Sequence, residues 1–275
     1  MAVNVTPGEA LGKASEKQTG GRVDLAVVMP VYNESDCVAR VIRSWLGTLT
    51  SENINFRMIV LNDGSTDDTS SRLAAFKDDH AVEVIDKPNS GHGPTILQGY
   101  KRAVEMADWV FQCDSDDEIR PDHFPTLWRS RRKFDALFGV RSDRSQMPSR
   151  RIVSACSNLT VRLLFGRGIK DANTPYRLIR ASLLGRILEQ IPPNTFAPNV
   201  IISGAMARSR ARIMNHPVFW EHRRTGKPSI VRWRILRSAM RAFWQTLRCR
   251  PRVNELEGRH EGTGSVQNAQ DCPRR

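Results

Sequence analysis

The sequence predicts an α/β fold, built on a mostly parallel sheet with helices on both faces. Over the first 140 residues, short apolar runs bounded by turn residues alternate with stretches whose apolar residues recur at helical spacing. Such alternation is typical of βα units, which form parallel sheets covered by helices. With 275 residues, of which 40% are hydrophobic, the chain can bury one substantial core.

The elements follow one another in regular order. The predicted strands are 25–29, 56–61, 82–85, 109–113 and 134–140, and the predicted helices are 38–49, 66–77, 94–106 and 122–133. Pro30 should end the first strand, and Asn33 or Ser35 is available to cap the helix that follows. The rest of the chain is less regularly patterned and should complete the sheet.

The net charge is +13, which favours polyanionic partners such as nucleic acid, anionic lipid or phosphorylated substrates. The five cysteines lack C-x-x-C spacing, so we expect neither a zinc site nor a disulfide framework, and a reducing cytosol. No apolar run reaches the length of a signal peptide or of a membrane span. We therefore expect a protein that is soluble or lies on a membrane surface.

The two ends of the chain differ from its middle. Residues 1–22 and 253–275 are polar and predict flexible tails. Residues 229–252 predict a basic amphipathic helix, with Trp233, Leu236, Met240, Phe243 and Leu247 on one face and Arg234, Arg237, Arg241 and Arg248 on another. Such a helix suits the bilayer interface, but it could also pack on the domain with its arginines in water. The sequence leaves both arrangements open.

Four of the predicted strands run into polar motifs. These are Pro-Val-Tyr-Asn-Glu (30–34), Asn-Asp-Gly-Ser-Thr-Asp-Asp-Thr (62–69), Asn-Ser-Gly-His-Gly (89–93) and Asp-Ser-Asp-Asp (114–117). Ligands of open α/β sheets bind at the carboxyl ends of the strands. Two carboxylates one residue apart suit a hard divalent cation that keeps its other positions for water and phosphate oxygens. Each motif alone could be a turn or a helix cap, but the four in this order indicate a nucleotide-sugar site.

The four motifs resemble those of the family 2 glycosyltransferases of the GT-A fold. The resemblance is greatest to the branch of dolichol-phosphate-mannose synthase and the bacterial polyprenyl-phosphate sugar transferases. It is specific over residues 24–140 and looser over 171–177 and 217–227. It implies a GT-A domain over residues 23–228, with a nucleotide half (23–140) and an acceptor half (141–228).

The resemblance also implies a set of site residues. Asp114 and Asp116 would hold Mg²⁺ or Mn²⁺, with Asp116 in a catalytic role, whereas Asp117 could serve either the site or a helix terminus. Arg223 or Arg224 would close over the diphosphate or the acceptor phosphate, and Asp171 resembles an aspartate that faces the acceptor. Asn62 stands where the family often has aspartate, which leaves the nucleobase open. The nucleotide-binding residues would be Pro30, Tyr32, Glu34, Asp63, Asn89, Gly91, Gly93 and Asp114.

The implied function is metal-dependent, inverting transfer of a sugar from a UDP- or GDP-sugar to polyprenyl or dolichyl phosphate. Many inverting relatives supply a carboxylate base where this chain has residues 196–204, which contain no acid. A phosphate acceptor has a second pKa of about 6 and needs no base. A saccharide or lipid-glycan hydroxyl, as in cell-surface polysaccharide synthesis, would need one, and Asp171 could then act.

The expected partners follow from this function. They are a nucleotide-sugar donor, a polyprenyl phosphate or glycan acceptor, an anionic membrane surface and, as a further means of attachment, an integral membrane protein. A nucleic-acid-binding protein is the alternative that the charge suggests, but no recognised nucleic-acid motif is present, and we expect no nucleic acid partner. The expected location is the cytoplasm, peripherally bound to the inner face of the membrane.

Overall fold

The structure is a computed structural model that describes residues 21–141, 158–164, 166, 168–209, 211–220 and 244–248. Its strands are β1 (Val23–Val31), β2 (Phe56–Asp63), β3 (Val82–Lys87), β4 (Ala107–Gln112), β5 (Ala136–Arg141), β6 (Arg177–Arg180) and β7 (Ile213–Val218). Its helices are α1 (Val38–Ser51), α2 (Thr69–Ala74), α3 (His92–Met106), α4 (Phe124–Ser130), α5 (158–164), α6 (Ala181–Leu188), α7 (Pro198–Arg208) and α8 (244–248). Single 3₁₀ turns, Pro121–His123 and Arg131–Lys133, flank α4.

The seven strands form one sheet in the order β3-β2-β1-β4-β6-β5-β7. Strand β6 runs antiparallel to both β4 and β5, and the other neighbouring pairs are parallel. Two reversals restore the original direction, so β5 and β7 end at the same edge as β1 to β4. We call this the carboxyl edge. The predicted α/β class is confirmed.

Both faces of the sheet are covered by helices, because side chains of a strand point alternately to its two faces. Ala26 and Val28 of β1 belong to the core cluster that includes buried residues of α3, α5, α6 and α7. Leu25 and Val27 belong to the other cluster, with buried residues of α1, α2 and α4. Continuous apolar strands are what a sheet buried on both sides requires.

The cap predicted for α1 is wrong, because the helix begins after Cys37. The carbonyl of Glu34 accepts the amides of both Cys37 (3.1 Å) and Val38 (2.9 Å), so a turn precedes the helix. Asn33 instead has a φ of 54°, and its side-chain oxygen accepts the amide of Thr66 at 2.8 Å. It therefore ties the first motif loop to the second. Helix α2 is also shorter than predicted.

The predicted tails and most of the predicted helix 229–252 lie outside the described residues. Its described part, α8, lies against the domain. Thr246 is buried, Leu247 packs on the α3 side of the core, and Gln245 Oε1 accepts the Phe196 amide at 2.8 Å. At this end the predicted helix contacts the domain. Among the described residues, no helix has the length and apolar character needed to cross a membrane.

Candidate active site

A cleft of about 490 Å³ opens at the carboxyl edge, where β1, β2 and β4 end and α3 begins. Eight of the predicted site residues line this carboxyl-edge cleft: Pro30, Tyr32, Glu34, Asp63, Asn89, Gly91, Asp114 and Asp116. Val31, His92, Thr95 and Ser115 complete the lining. These four belong to or adjoin the same motifs but were not predicted as site residues. The parallel order of the strands brings the loops of all four motifs to this edge. The second motif contributes Asp63 to the lining.

Asp63, the last residue of β2, organises one side of the cleft. Its Oδ1 accepts the Ser90 amide and its Oδ2 accepts the Gly91 amide, both at 2.9 Å, and the ammonium group of Lys87 pairs with Oδ1. Burial raises the pKa of Asp63, but the hydrogen bonds from Lys87, Ser90 and Thr95 outweigh it, and the pKa is lowered. The carboxylate therefore stays ionised and fixes the shape of the loop before α3.

The asparagine at position 62, where the family often has aspartate, has a structural explanation. Its side-chain amide donates to Ser70 Oγ and to Asp86 Oδ1, both at 2.8 Å, and its oxygen accepts the Ser65 amide at 3.2 Å. An aspartate at this position would place a second carboxylate against Asp86. Asn62 is buried and does not line the cleft.

The acidic motif after β4 forms the other side of the cleft. Burial, then the charges of Asp114 and Glu118, and also that of Glu34, raise the pKa of Asp116 to about 8. Ser115 Oγ donates to the Pro30 carbonyl at 3.1 Å and joins this motif to the end of β1. The negative charges gathered here favour a cation. Asp117 points elsewhere, since it pairs with Arg40 and is not part of the lining.

The donor set fits the divalent cation that the motif predicts. Oxygen ligands from Asp114 and Asp116 are the kind that Mg²⁺ and Mn²⁺ prefer. Within the described ranges, no group of three or more His, Cys, Asp or Glu side chains is arranged to hold a metal by itself. The two aspartates would therefore share such an ion with water and with oxygens of a bound ligand.

Arg141, which is not among the predicted site residues, ends β5 at the same edge. Its Nε and Nη2 donate to the two carboxylate oxygens of Asp171 at 2.8 and 3.0 Å. Burial lowers the pKa of Arg141, but the hydrogen bonds and charge of Asp171, followed by the charges of Asp114 and Glu118, outweigh this effect. The pKa of Arg141 is therefore raised above its ordinary value. Arg141 is thus a partly buried cation within electrostatic reach of the acidic motif.

Asp171 is placed near the site but not in the lining of the cleft. Both of its oxygens accept from Arg141, so proton abstraction would compete with this ion pair. The loop that follows is held by Arg177, which is fully buried and donates to the carbonyls of Ala172, Thr174 and Asn199. The partly buried ion pair and the fully buried Arg177 make this side of the site rigid.

Gly93 lies in the first turn of α3, outside the cleft lining. A Cβ at this position would overlap the carbonyl oxygens of Thr195 and Phe196. The close approach that this glycine permits is therefore to the backbone of the chain itself. Arg223 and Arg224 lie outside the described residues, and their role stays a prediction.

The model of the family described as Glycosyl transferase family 2 matches residues 26–188, which include the carboxyl-edge cleft and β6.

Two curated relatives are undecaprenyl-phosphate 4-deoxy-4-formamido-L-arabinose transferases. The one from Pectobacterium carotovorum is 26% identical over 194 residues, covering 69% of this chain and 58% of the relative. The one from Pseudomonas fluorescens (strain Pf0-1) is 28% identical over 193 residues, covering 69% and 56%. The aligned part of this chain thus spans less than two thirds of the length of these relatives.

Solved structures share the fold. Glucosyl-3-phosphoglycerate synthase from Mycobacterium tuberculosis, in complex with Mn²⁺, uridine diphosphate and phosphoglyceric acid, superposes with a TM-score of 0.62. The sequence identity is 17%, and the alignment covers 83% of this chain and 78% of the synthase.

Proposed function

The chain belongs to glycosyl transferase family 2, and from this we propose that it is a metal-dependent, inverting enzyme that moves a sugar from a UDP- or GDP-sugar to a polyprenyl phosphate. The observation that carries the proposal is the pairing of two features across one cleft. Asp63 and its ordered loop lie on one side, and Asp114 and Asp116 lie on the other. A nucleoside diphosphate has a hydrogen-bonding base at one end and an anionic diphosphate at the other, which matches this division.

The chain's own groups supply the contacts to the donor. Each oxygen of a carboxylate has two lone pairs, so Asp63 Oδ2 can accept an imide N–H of the base in addition to the Gly91 amide. The amides of the first turn of α3 lie beside the cleft and would favour the negative diphosphate. The cleft volume of about 490 Å³ is in the usual range for small-molecule sites, about 300–1,000 Å³.

We infer that Asp114 and Asp116 hold the metal ion. A divalent cation bound there would neutralise the charge that develops on the departing diphosphate. The mycobacterial neighbour was solved with Mn²⁺ and uridine diphosphate, which is in line with this assignment. The remaining acidic groups, Glu34 and Glu118, would strengthen the attraction of the site for the cation.

Two observations favour a phosphate acceptor. The curated relatives are named for undecaprenyl phosphate, and Asp171, the carboxylate that the resemblance assigns to the acceptor, is engaged at both oxygens by Arg141. A phosphate acceptor is ionised near neutral pH and needs no such base. We assign Arg141 the role of binding a phosphate through its remaining guanidinium nitrogen, with Asp171 as its positioning residue.

A membrane-bound acceptor also requires attachment to the bilayer. We propose that residues 229–252 provide it as a peripheral basic segment on the inner face of the membrane, next to the domain over residues 23–228. This part of the proposal rests on the sequence, because Trp233 to Phe243 lie outside the described residues.

The test is donor turnover with Mn²⁺, screening UDP- and GDP-sugars against a short polyprenyl phosphate in detergent. The expected product is a lipid-phosphate sugar, whose analysis identifies the base and the sugar together. Donor hydrolysis that requires Mn²⁺ but yields no lipid product would move the acceptor to a hydroxyl and return Asp171 to the role of base. Absence of both turnover and nucleotide binding would contradict the proposal.

A further inference from the structure

A second cavity, of about 450 Å³, lies at the edge of the sheet opposite to the carboxyl-edge cleft. It forms where β1 and β4 begin and where the antiparallel β6 and helix α4 end. Four arginines, two aspartates, two tryptophans and a serine line it, which leaves an excess of two positive charges. We call it the arginine cavity, after Arg22, Arg131, Arg132 and Arg180.

Two of the arginines are stacked on tryptophans. The guanidinium carbon of Arg131 lies 3.6 Å from the ring centre of Trp128, and that of Arg180 lies 4.7 Å from that of Trp109. Both indoles are buried, so the rings are fixed platforms. A stacked guanidinium keeps its N–H groups in its own plane, where they can bind the oxygens of an anion.

The positive charge of the cavity is only partly neutralised. Two of its arginines are used by the fold: Arg22 pairs with Asp108 at 2.7 Å and donates to carbonyls at the end of α3, and Arg180 lies 3.7 Å from Asp135, which does not line the cavity. Arg131 donates to the Trp128 carbonyl at 2.7 Å, and burial and the charge of Arg132 lower its pKa. Arg132 is exposed and forms no hydrogen bond or ion pair with any described residue. A bound anion would relieve the repulsion between these two arginines.

A helix terminus adds to this positive region. Ser182, which lines the cavity, is the second residue of α6. No described side chain caps this helix, and its first turn contains no acidic residue. The amides of a first turn have no partners within the helix and favour anions. Stacked guanidinium groups, an excess of positive charge and an uncapped helix terminus therefore meet at one cavity.

We propose that the arginine cavity binds the phosphate group of an organic phosphate, at a site separate from the carboxyl-edge cleft. Strand β4 connects the two: Asp108 lines the arginine cavity and Asp114 lines the cleft, about 20 Å apart along an extended chain. The cavity has room for more than a phosphate ion, so the ligand is a phosphorylated small molecule or the phosphate headgroup of a lipid.

The experiment is calorimetric titration of the full chain with inorganic pyrophosphate, in EDTA so that no metal promotes binding at Asp114 and Asp116. A parallel flotation assay uses phosphatidylcholine vesicles with and without phosphatidylglycerol. The variants are Arg132→Gln, whose side chain makes no hydrogen bond or ion pair with a described residue, and the double variant Arg131→Gln/Arg132→Gln. Arg129→Gln is the matched control, because Arg129 lies near the end of α4, just before these two arginines, but pairs with Glu52 and does not line the cavity.

We expect the double variant to bind pyrophosphate at least about tenfold more weakly, since the loss of a hydrogen bond to a charged group typically lowers affinity by about tenfold or more. The single variant should lose about threefold or more, and the control should stay within about twofold. If pyrophosphate does not bind but vesicle binding depends on Arg131 and Arg132, the phosphate is that of a lipid headgroup. Binding that is equal in all variants, or absent in both assays, would overturn the proposal. Arg132→Gln keeps the test valid even if replacing Arg131 unfolds the chain.

Discussion

Asp63 ends β2 and Asp116 follows β4, the two strands that flank β1, yet the surroundings of the two carboxylates act on their pKa values in opposite directions. Lys87 and two backbone amides keep the pKa of Asp63 low, whereas burial and neighbouring carboxylates raise the pKa of Asp116 to about 8. Pairs of titratable groups with pKa values pushed apart are characteristic of sites that divide roles between them. Asp63 is built as a fixed hydrogen-bond acceptor, and Asp116 as part of a negative pocket for a cation.

Asp116→Asn should lower donor turnover by at least about 100-fold, because Asp116 would help to hold the cation that stabilises the departing diphosphate, and the loss of one preorganised group that stabilises a developing anion costs about that much or more. The fold should remain intact, since the change removes one of several clustered negative charges. Asp117→Asn is the matched control: its φ of 59° suits asparagine, and its carboxylate faces Arg40. We expect the control to keep most of the turnover. Release of nucleoside diphosphate under saturating Mn²⁺ measures both, and a fully active, folded Asp116→Asn would remove this residue from the mechanism.

Asp63→Asn should destabilise the protein at neutral pH by about 2–3 kcal/mol, because it leaves Lys87 beside a neutral group in a buried pair. The folded pKa of Asp63 is below its ordinary value of 3.8. Its stabilisation is therefore complete above pH 4 and is lost as pH falls through the folded pKa. Urea unfolding at pH 7, 5 and 3 should show a difference from wild type that shrinks only at the lowest pH. Asp78→Asn, at an exposed position, should change stability by less than about 0.5 kcal/mol. A pH-independent difference would contradict the prediction.

At the level of elements, the buried parallel strands were predictable because each is a short apolar run that ends in a polar motif. Strands β6 and β7 were not, since Arg177–Arg180 begins and ends with arginine and Ile213–Val218 contains Asn, His and Pro. Helix α7 is buried on nearly all sides, so its sequence has little helical periodicity to detect. The prediction of site residues was limited in the same way, because local sequence patterns do not show how distant elements pair. Residues within motifs were found, but Arg141 matters only because two antiparallel pairings bring β5 to the carboxyl edge.

Gly93→Ala tests how α3 is held at the cleft. The added Cβ would overlap backbone oxygens of Thr195 and Phe196, which cannot move as a flexible side chain could. We expect a loss of about 1–3 kcal/mol in unfolding free energy, typical of overpacking. Gly185→Ala is the control within α6, where a Cβ meets nothing within 4 Å. It should instead stabilise the protein by up to about 1 kcal/mol. Equal effects from the two substitutions would show that the contact with residues 195 and 196 does not hold α3.

At the scale of the whole molecule, charge is separated between the two edges of the sheet. The carboxyl edge gathers carboxylates at the cleft, and the opposite edge gathers arginines around its cavity. The net charge of +13 is therefore not spread evenly, and its local excess decides which anions are attracted where. The predicted basic helix adds a second positive region, whose described end, α8, packs on the domain through Thr246 and Leu247.

The membrane role of residues 229–252 can be separated from the effect of net charge. The triple variant Arg234→Gln/Arg237→Gln/Arg241→Gln should bind vesicles containing phosphatidylglycerol more than about 100-fold more weakly, since each arginine near an anionic surface contributes about 1 kcal/mol. The matched control replaces Arg43, Arg72 and Arg102, exposed arginines of α1, α2 and α3, with glutamine. Both variants have the same net charge, so long-range attraction is reduced equally in the two.

A loss confined to the first variant would assign the membrane contact to the predicted helix. Equal losses would mean that attraction acts on the molecule as a whole, and unchanged binding in both would contradict the membrane prediction. The thermal midpoint provides the remaining distinction. If the arginines face lipid, removing their charge should leave the midpoint unchanged in the absence of vesicles. If they instead pair with carboxylates of the domain, the thermal midpoint of the first variant should fall. The midpoint of the control variant should not, although its net charge is the same.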